Sequence, residues 1–142
     1  MIKVVVAGTF DLLHEGHKEL LLFAKKLCPR IKVFVTTHDF VAPKKTPHDE
    51  QQVRWVAVQK FIGNNCEVEY ISTQEDFRDS ILLDAPCLLL HGSDHNVKTL
   101  SEIYGVEHSW WKKHNILLVY KDRYPGVSSS QLREELDEKE TK

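Results

Sequence analysis

His14 and His17 stand three residues apart with Gly16 between them, behind the run Gly8-Thr9-Phe10-Asp11 and ahead of a segment with helical spacing. Imidazoles donate hydrogen bonds to phosphate oxygens, and the start of a helix exposes unpaired N–H groups that carry partial positive charge. Glycines at Gly8 and Gly16 let the main chain approach a bound phosphate with no Cβ in the way. The combination outlines a phosphate site. Taken alone, two histidines at this spacing are ordinarily a surface pair; their setting after Gly-Thr-Phe-Asp is what singles them out. Near the other end of the chain, Arg123 and the hydroxyls of Ser128, Ser129 and Ser130 precede a polar helical stretch. A guanidinium fork with hydroxyls and free amides at a helix start suits phosphates, and the same serines suit a helix cap.

The elements that must position these residues follow from hydropathy. Short runs rich in Val, Ile and Leu at Ile2 to Ala7, Ile31 to Thr36, Val68 to Ile71, Cys87 to His91 and Ile116 to Tyr120 predict five strands. Helical patterns lie between them at Lys18 to Leu27, Glu50 to Phe61, Gln74 to Leu83 and Leu100 to Lys113, with a polar helix from about Gln131 to Lys139. Strand and helix alternate, which predicts an α/β fold: a parallel sheet covered on both faces, with ligands at the carboxyl ends of the strands near the switch in strand order. Every group of residues named above falls at such an end.

Gly8-Thr9-Phe10-Asp11 followed by His14-x-Gly16-His17 resembles the signature of the small nucleotidyltransferases. These are the cytidylyltransferases and adenylyltransferases that share an H-x-G-H motif with class I aminoacyl-tRNA synthetases. His91-Gly92-Ser93-Asp94 after a strand, and Arg123-Tyr124-Pro125-Gly126-Val127-Ser128-Ser129-Ser130 before the last helix, fall in the order that family uses. The matches run from Ile2 to about Leu136 and look most like cytidylyltransferases acting on phosphocholine, phosphoethanolamine or glycerol 3-phosphate. The resemblance implies a Rossmann-like five-stranded domain over residues 1–142. It also implies a reaction in which a substrate phosphate attacks the α-phosphorus of a nucleoside triphosphate and pyrophosphate leaves. CTP is the expected nucleotide, with ATP and an adenylyltransferase acting on a phosphorylated cofactor precursor or sugar phosphate as the alternative. A silent nucleotide-binding sensor is a further alternative, with intact His14, His17 and Arg123 against it.

The resemblance also distributes roles. His14, His17, Arg123 and one of Lys44 and Lys45 are expected to act on the phosphates. Gly8, Thr9, Phe10, Asp11, Gly16, His17, Gly92, Asp94, Arg123, Val127, Ser128, Ser129 and Ser130 would line the nucleotide site. Arg54 matches a family arginine that contacts the acceptor's phosphate or the nucleotide, and Asp11 with Asp94 would help hold Mg2+. Each has a plainer reading: solvated loop lysines, a solvent-facing helical arginine, a turn-capping aspartate. The i, i+4 pair His91 and His95 stands in no H-E-x-x-H and beside no cysteine at ligand spacing, so a transition-metal site is set aside. Tyr104, Trp110 and Trp111 are expected in core or interface.

Composition bounds the partners. Hydrophobic content of 42%, charged content of 28% and a formal charge of −2 fit a soluble domain with no field to recruit nucleic acid or anionic membrane. Ile2 to Ala7 is too short for a leader or a membrane span, which predicts a cytoplasmic protein. Cys28, Cys66 and Cys87 are odd in number and widely spaced, as reduced core thiols are. A homodimer is compatible with the resemblance. However, Ile62-Gly63-Asn64-Asn65 stands where many relatives carry a second basic residue and an aromatic-Val-Asp-Glu segment of the dimer interface.

Overall fold

The computed structural model describes residues 2–41, 49–63, 66–93 and 95–122. In chain order these form β1 (Lys3–Gly8), α1 (Glu15–Leu27), β2 (Ile31–Thr36), α2 (His38–Val41), α3 (Gln51–Ile62), β3 (Glu67–Ile71), α4 (Gln74–Asp84), β4 (Cys87–Gly92), α5 (Val97–Tyr104), α6 (Trp110–Lys113) and β5 (Ile116–Lys121). The five strands make one parallel sheet in the order β3-β2-β1-β4-β5. The chain builds outward from β1 through β2 to β3, then crosses back to place β4 on the other side of β1. The reversal opens a crevice between the carboxyl ends of β1 and β4, where ligands of such sheets bind. The final helix expected from Gln131 lies outside the described residues.

Alternation along each strand sends side chains to two cores. Val4, Val6, Val33, Val35 and Leu90 pack with Leu21 and Ala24 of α1 and Val58 and Ile62 of α3. Val5, Phe34, Cys87, Leu89 and Ile116 face the other way, onto Phe77 and Ile81 of α4, Leu100 of α5 and Trp111 of α6. Strands buried on both faces read as continuous apolar runs, which is why β1, β2 and β4 are visible in the sequence.

The expected helix from Leu100 to Lys113 is corrected to two. Gly105 adopts the left-handed conformation at φ 67° and its N–H donates to the Ser101 carbonyl, so α5 stops at Tyr104. Gln74 and Arg78 of α4 grip this end: Gln74 Nε2 donates to the Ile103 carbonyl at 2.9 Å and Arg78 Nη1 to the Tyr104 carbonyl at 3.0 Å. The aromatic stretch that follows is core, as expected. Phe77 stacks on Tyr104 with ring centroids 3.6 Å apart, and Trp111 Nε1 donates to Ser101 Oγ at 3.0 Å. The cysteines are free, with Cys28 and Cys87 buried and Cys66 half-buried. Burial, with Asp84 nearby, pushes the Cys87 thiol up to about 11, which leaves it inert.

At the amino ends of the strands a buried ion cluster takes the place of apolar packing. Asp84 Oδ1 accepts from Lys3 Nζ at 3.0 Å, and Lys32 Nζ lies 2.9 Å from Oδ2 as an ion pair off the hydrogen-bond axis. Burial alone would raise the Asp84 carboxyl; the close ammonium groups of Lys32 and Lys3 reverse this and hold it below the ordinary carboxylate value. Burial likewise opposes the Lys3 ammonium, and Asp84 and Glu67 more than restore it, so it sits above the ordinary lysine value.

Two outcomes are expected. Asp84→Asn leaves two buried ammonium groups with only the more exposed carboxylates of Glu67 and Glu69 as partners and should cost about 3 kcal/mol at neutral pH, read from urea midpoints. A depressed carboxyl stabilises above its unfolded value and loses that contribution as pH falls, so the gap between wild type and variant should narrow below about pH 4. Gly105→Ala would place a Cβ 2.6 Å from Gln74 Oε1 and 3.2 Å from Arg78 Nη1 at a positive φ. It should cost about 1–2 kcal/mol with an unchanged denaturant slope.

Candidate active site

The carboxyl end of β1 runs into a turn with an unusual main chain. Phe10 and Leu12 adopt φ of 53° and 51°, a left-handed conformation that costs a residue with a Cβ about 1–2 kcal/mol. Phe10 folds back so closely that a Cβ on Gly8 would lie 3.3 Å from its ring. The ring is buried in the core beneath α1 and meets the His17 ring edge-on, with centroids 5.5 Å apart. Phe10 thus supports the site from below.

α1 begins where this turn ends, and the two histidines form its cap. The Gly16 N–H donates to His14 Nδ1 at 2.9 Å, and the His14 N–H donates to His17 Nδ1 at 3.3 Å. This is a reciprocal capping box built from imidazoles, with His14 as N-cap and His17 at the third helical position. The rings stack with centroids 3.9 Å apart at 20°. A main-chain N–H can only donate, so each Nδ1 is an acceptor and each ring proton sits on Nε2. The geometry yields two neutral Nε2–H donors side by side at the positive end of a 13-residue helix. Such a pair can donate to phosphate oxygens and stabilise charge that develops there.

Behind the turn lies Arg54, whose side chain neither sequence reading describes. It is 1% exposed, so it is no solvent-facing arginine. Its Nη1 donates to the carbonyls of Thr9 at 2.8 Å and Thr36 at 2.6 Å, and its Nε to the Asp49 carbonyl at 3.2 Å. The guanidinium is thus held by main chain beneath the surface, whereas the resemblance pointed to the acceptor's phosphate or the nucleotide. Burial pulls it below its ordinary value, with the charge of Asp11 opposing.

Asp11 is wholly buried beside it and accepts from the Asp49 N–H at 2.8 Å. A magnesium ligand needs a carboxylate oxygen open to a hydrated ion, so Asp11 does not fit that role. Among the described residues no three histidine, cysteine or acidic side chains gather as a metal site. Thr9 Oγ accepts from Thr36 Oγ at 3.2 Å, joining β1 and β2 at the same end.

On the other side of the crevice, the register that pairs Val6 with Leu90 carries Gly8 and Gly92 to the same end of adjacent strands. His91 Nδ1 lies 2.8 Å from the Gly92 carbonyl, which can only accept, so Nδ1 is the donor in this contact, unlike Nδ1 of His14 and His17. The His95 N–H also donates to Gly92, at 3.2 Å. The structure thus brings Gly8, Thr9, Phe10, Asp11, His14, Gly16, His17 and Gly92 to one end of the sheet. Lys44, Lys45, Asp94, Arg123, Val127, Ser128, Ser129 and Ser130 lie outside the described residues. Thr36 and Asp49 escaped sequence reasoning, because they act largely through main-chain groups; the polar pair Thr36-Thr37 closing an apolar strand was the available signal.

A family model described as cytidylyltransferase-like matches residues 5–135. Glycerol-3-phosphate cytidylyltransferase of Bacillus subtilis is 28% identical over 141 residues, which take in 96% of this chain and 98% of that protein. Phosphopantetheine adenylyltransferase of Methanopyrus kandleri is 40% identical over 81 residues, 53% of this chain and half of that protein. Among solved structures, the lipopolysaccharide core biosynthesis protein of Thermoplasma volcanium superposes with a TM-score of 0.64 at 23% identity. That match covers 87% of this chain and 98% of the other, and shows the fold. No helix among the described residues is long and apolar enough to cross a membrane. With the family pattern running through nearly the whole sheet and its imidazole-capped helix, the chain belongs to the cytidylyltransferase-like family of nucleotidyltransferases.

Proposed function

We propose that the chain transfers a nucleotidyl group, cytidylyl in the first reading, from a nucleoside triphosphate to the phosphate of a small phosphorylated alcohol. An acceptor phosphate oxygen forms a bond to the α-phosphorus, the bond from that phosphorus to the bridging oxygen of the β-phosphate breaks, and pyrophosphate carries away the electron pair. The observation that carries the reading is the imidazole capping box, which sets two Nε2–H donors on a helix N-terminus beside the Gly8 turn. Phosphoryl chemistry of this kind asks a protein for positioning and charge stabilisation more than for a nucleophile. His14 and His17 donate to phosphate oxygens as charge builds, and the dipole of α1 adds to them.

The nucleotide enters as its Mg2+ complex, with no protein ligand to the ion assigned among the described residues. Lys44 or Lys45, and Arg123 with Ser128, Ser129 and Ser130, are proposed to hold the β- and γ-phosphates, and Gly92 with Asp94 and Val127 to border the nucleoside. The near full-length match to a cytidylyltransferase supports CTP. The higher identity of a shorter stretch to an adenylyltransferase favours the second reading, ATP with a phosphorylated cofactor precursor. The reading places the enzyme in the cytoplasm and works for a monomer or a homodimer.

Pyrophosphate release in the presence of Mg2+, with CTP and ATP crossed against phosphocholine, phosphoethanolamine, glycerol 3-phosphate, sugar phosphates, FMN and phosphopantetheine, tests both readings. Release with CTP and a phosphorylated alcohol is expected; release with ATP alone selects the second reading, and nucleotide binding without release selects the sensor. The two duties of the histidines separate by substitution. His14→Ala should lower turnover about 10²–10³-fold and stability by about 1 kcal/mol, because both donor and cap are lost. His14→Asn combined with His17→Gln rebuilds a conventional capping box and should restore the stability while turnover stays lost. Turnover within a few-fold of wild type in the double variant would refute the assignment.

A further inference from the structure

We infer that Arg54 is a positioning residue for the nucleotide-facing turn, acting through main-chain carbonyls and not by touching the acceptor's phosphate; the inference rests on the proposal that this turn faces the nucleotide. Its contacts close a circuit. Arg54 Nη1 donates to the Thr9 carbonyl at 2.8 Å, and from Thr9 the chain passes through Phe10 to Asp11. Asp11 Oδ1 accepts from the Asp49 N–H at 2.8 Å, and the Asp49 carbonyl accepts from Arg54 Nε at 3.2 Å. A further bond from Nη1 to the Thr36 carbonyl, 2.6 Å long, draws in the end of β2. Three segments that end at the site, after β1, after β2 and ahead of α3, are thus tied to one planar cation.

Two features make the tie functional and not merely cohesive. The turn it closes contains Phe10 at φ 53°, a conformation that a residue with a Cβ holds only where its surroundings enforce it. That same turn leads directly into His14, so a slack Thr9 to Asp11 segment would displace the cap as well as the amides. The guanidinium also suits the place for a chemical reason. Carbonyls at different angles need donors fixed in a plane, which a fork supplies and an ammonium on a flexible stem does not. The side chain is 1% exposed, so the three main-chain bonds, and not a surface-facing nitrogen, are what its position provides.

The test compares wild type with Arg54→Lys, and with Arg54→Gln should the lysine variant fail to fold. Amide hydrogen exchange comes first, because it needs no turnover. Exchange at Asp11 and Asp49 should quicken at least tenfold while α4 amides stay unchanged. Binding of CTP and ATP with no acceptor present should weaken about tenfold or more. Where the wild type turns over, kcat should fall while the acceptor KM moves less than twofold. Methylguanidinium added to Arg54→Ala should recover part of the nucleotide binding. Unchanged nucleotide binding with a raised acceptor KM would overturn the inference and return Arg54 to the acceptor's phosphate. Wild-type protein that binds neither nucleotide would instead count against the proposed function, and the exchange result would still decide whether Arg54 holds the turn.

Discussion

Where a parallel strand ends and the chain turns away, its last carbonyls and the first N–H groups of the next helix lose their ladder partners, and burial makes each of them costly to leave alone. The site of this protein is organised around that constraint. On the N–H side the partners are the Nδ1 atoms of His14 and His17. On the carbonyl side the partner is Arg54, which reaches Thr9, Thr36 and Asp49. Residues that a list of chemical functions would assign to substrate are thus also what completes the main chain.

This double duty links stability to chemistry. An imidazole that caps a helix through Nδ1 keeps its proton on Nε2, so folding selects the tautomer that donates. The stack of the two rings and the edge contact with Phe10 then hold both donors in one orientation. Left-handed Phe10 and Leu12 are the local cost of bringing β1 so sharply into α1. The buried cluster of Lys3, Lys32 and Asp84 stands at the opposite end of the strands, where it supports the sheet without touching the crevice.

Most of the sheet was legible because β1, β2 and β4 are buried on both faces, and no other element needs so continuous an apolar run. The histidine pair was legible from its setting after Gly8-Thr9-Phe10-Asp11, whereas the capping box it forms was not, since imidazoles are not the usual capping side chains. The break at Gly105 was not, since the apolar period of α5 continues through Tyr104 to Trp110 and Trp111 and a lone glycine is a weak stop. α3 inverts the usual rule. Arg54 faces inward at 1% exposed, while Val53 and Val56 face outward at 53% and 39%, so hydropathy points the wrong way at the position that matters most. The left-handed turn at Phe10 and Leu12 leaves no trace either, because bulky residues are disfavoured there and nothing in the sequence advertises the exception.

The most direct test of the capped-imidazole site is long-range proton–nitrogen NMR on the side chains of His14 and His17, recorded with and without CTP or ATP. The account predicts that both rings hold the proton on Nε2, with Nδ1 in the acceptor state, and that nucleotide shifts the Nε2–H resonances of both. A proton on Nδ1 of either ring, or Nε2–H resonances indifferent to nucleotide, would contradict it.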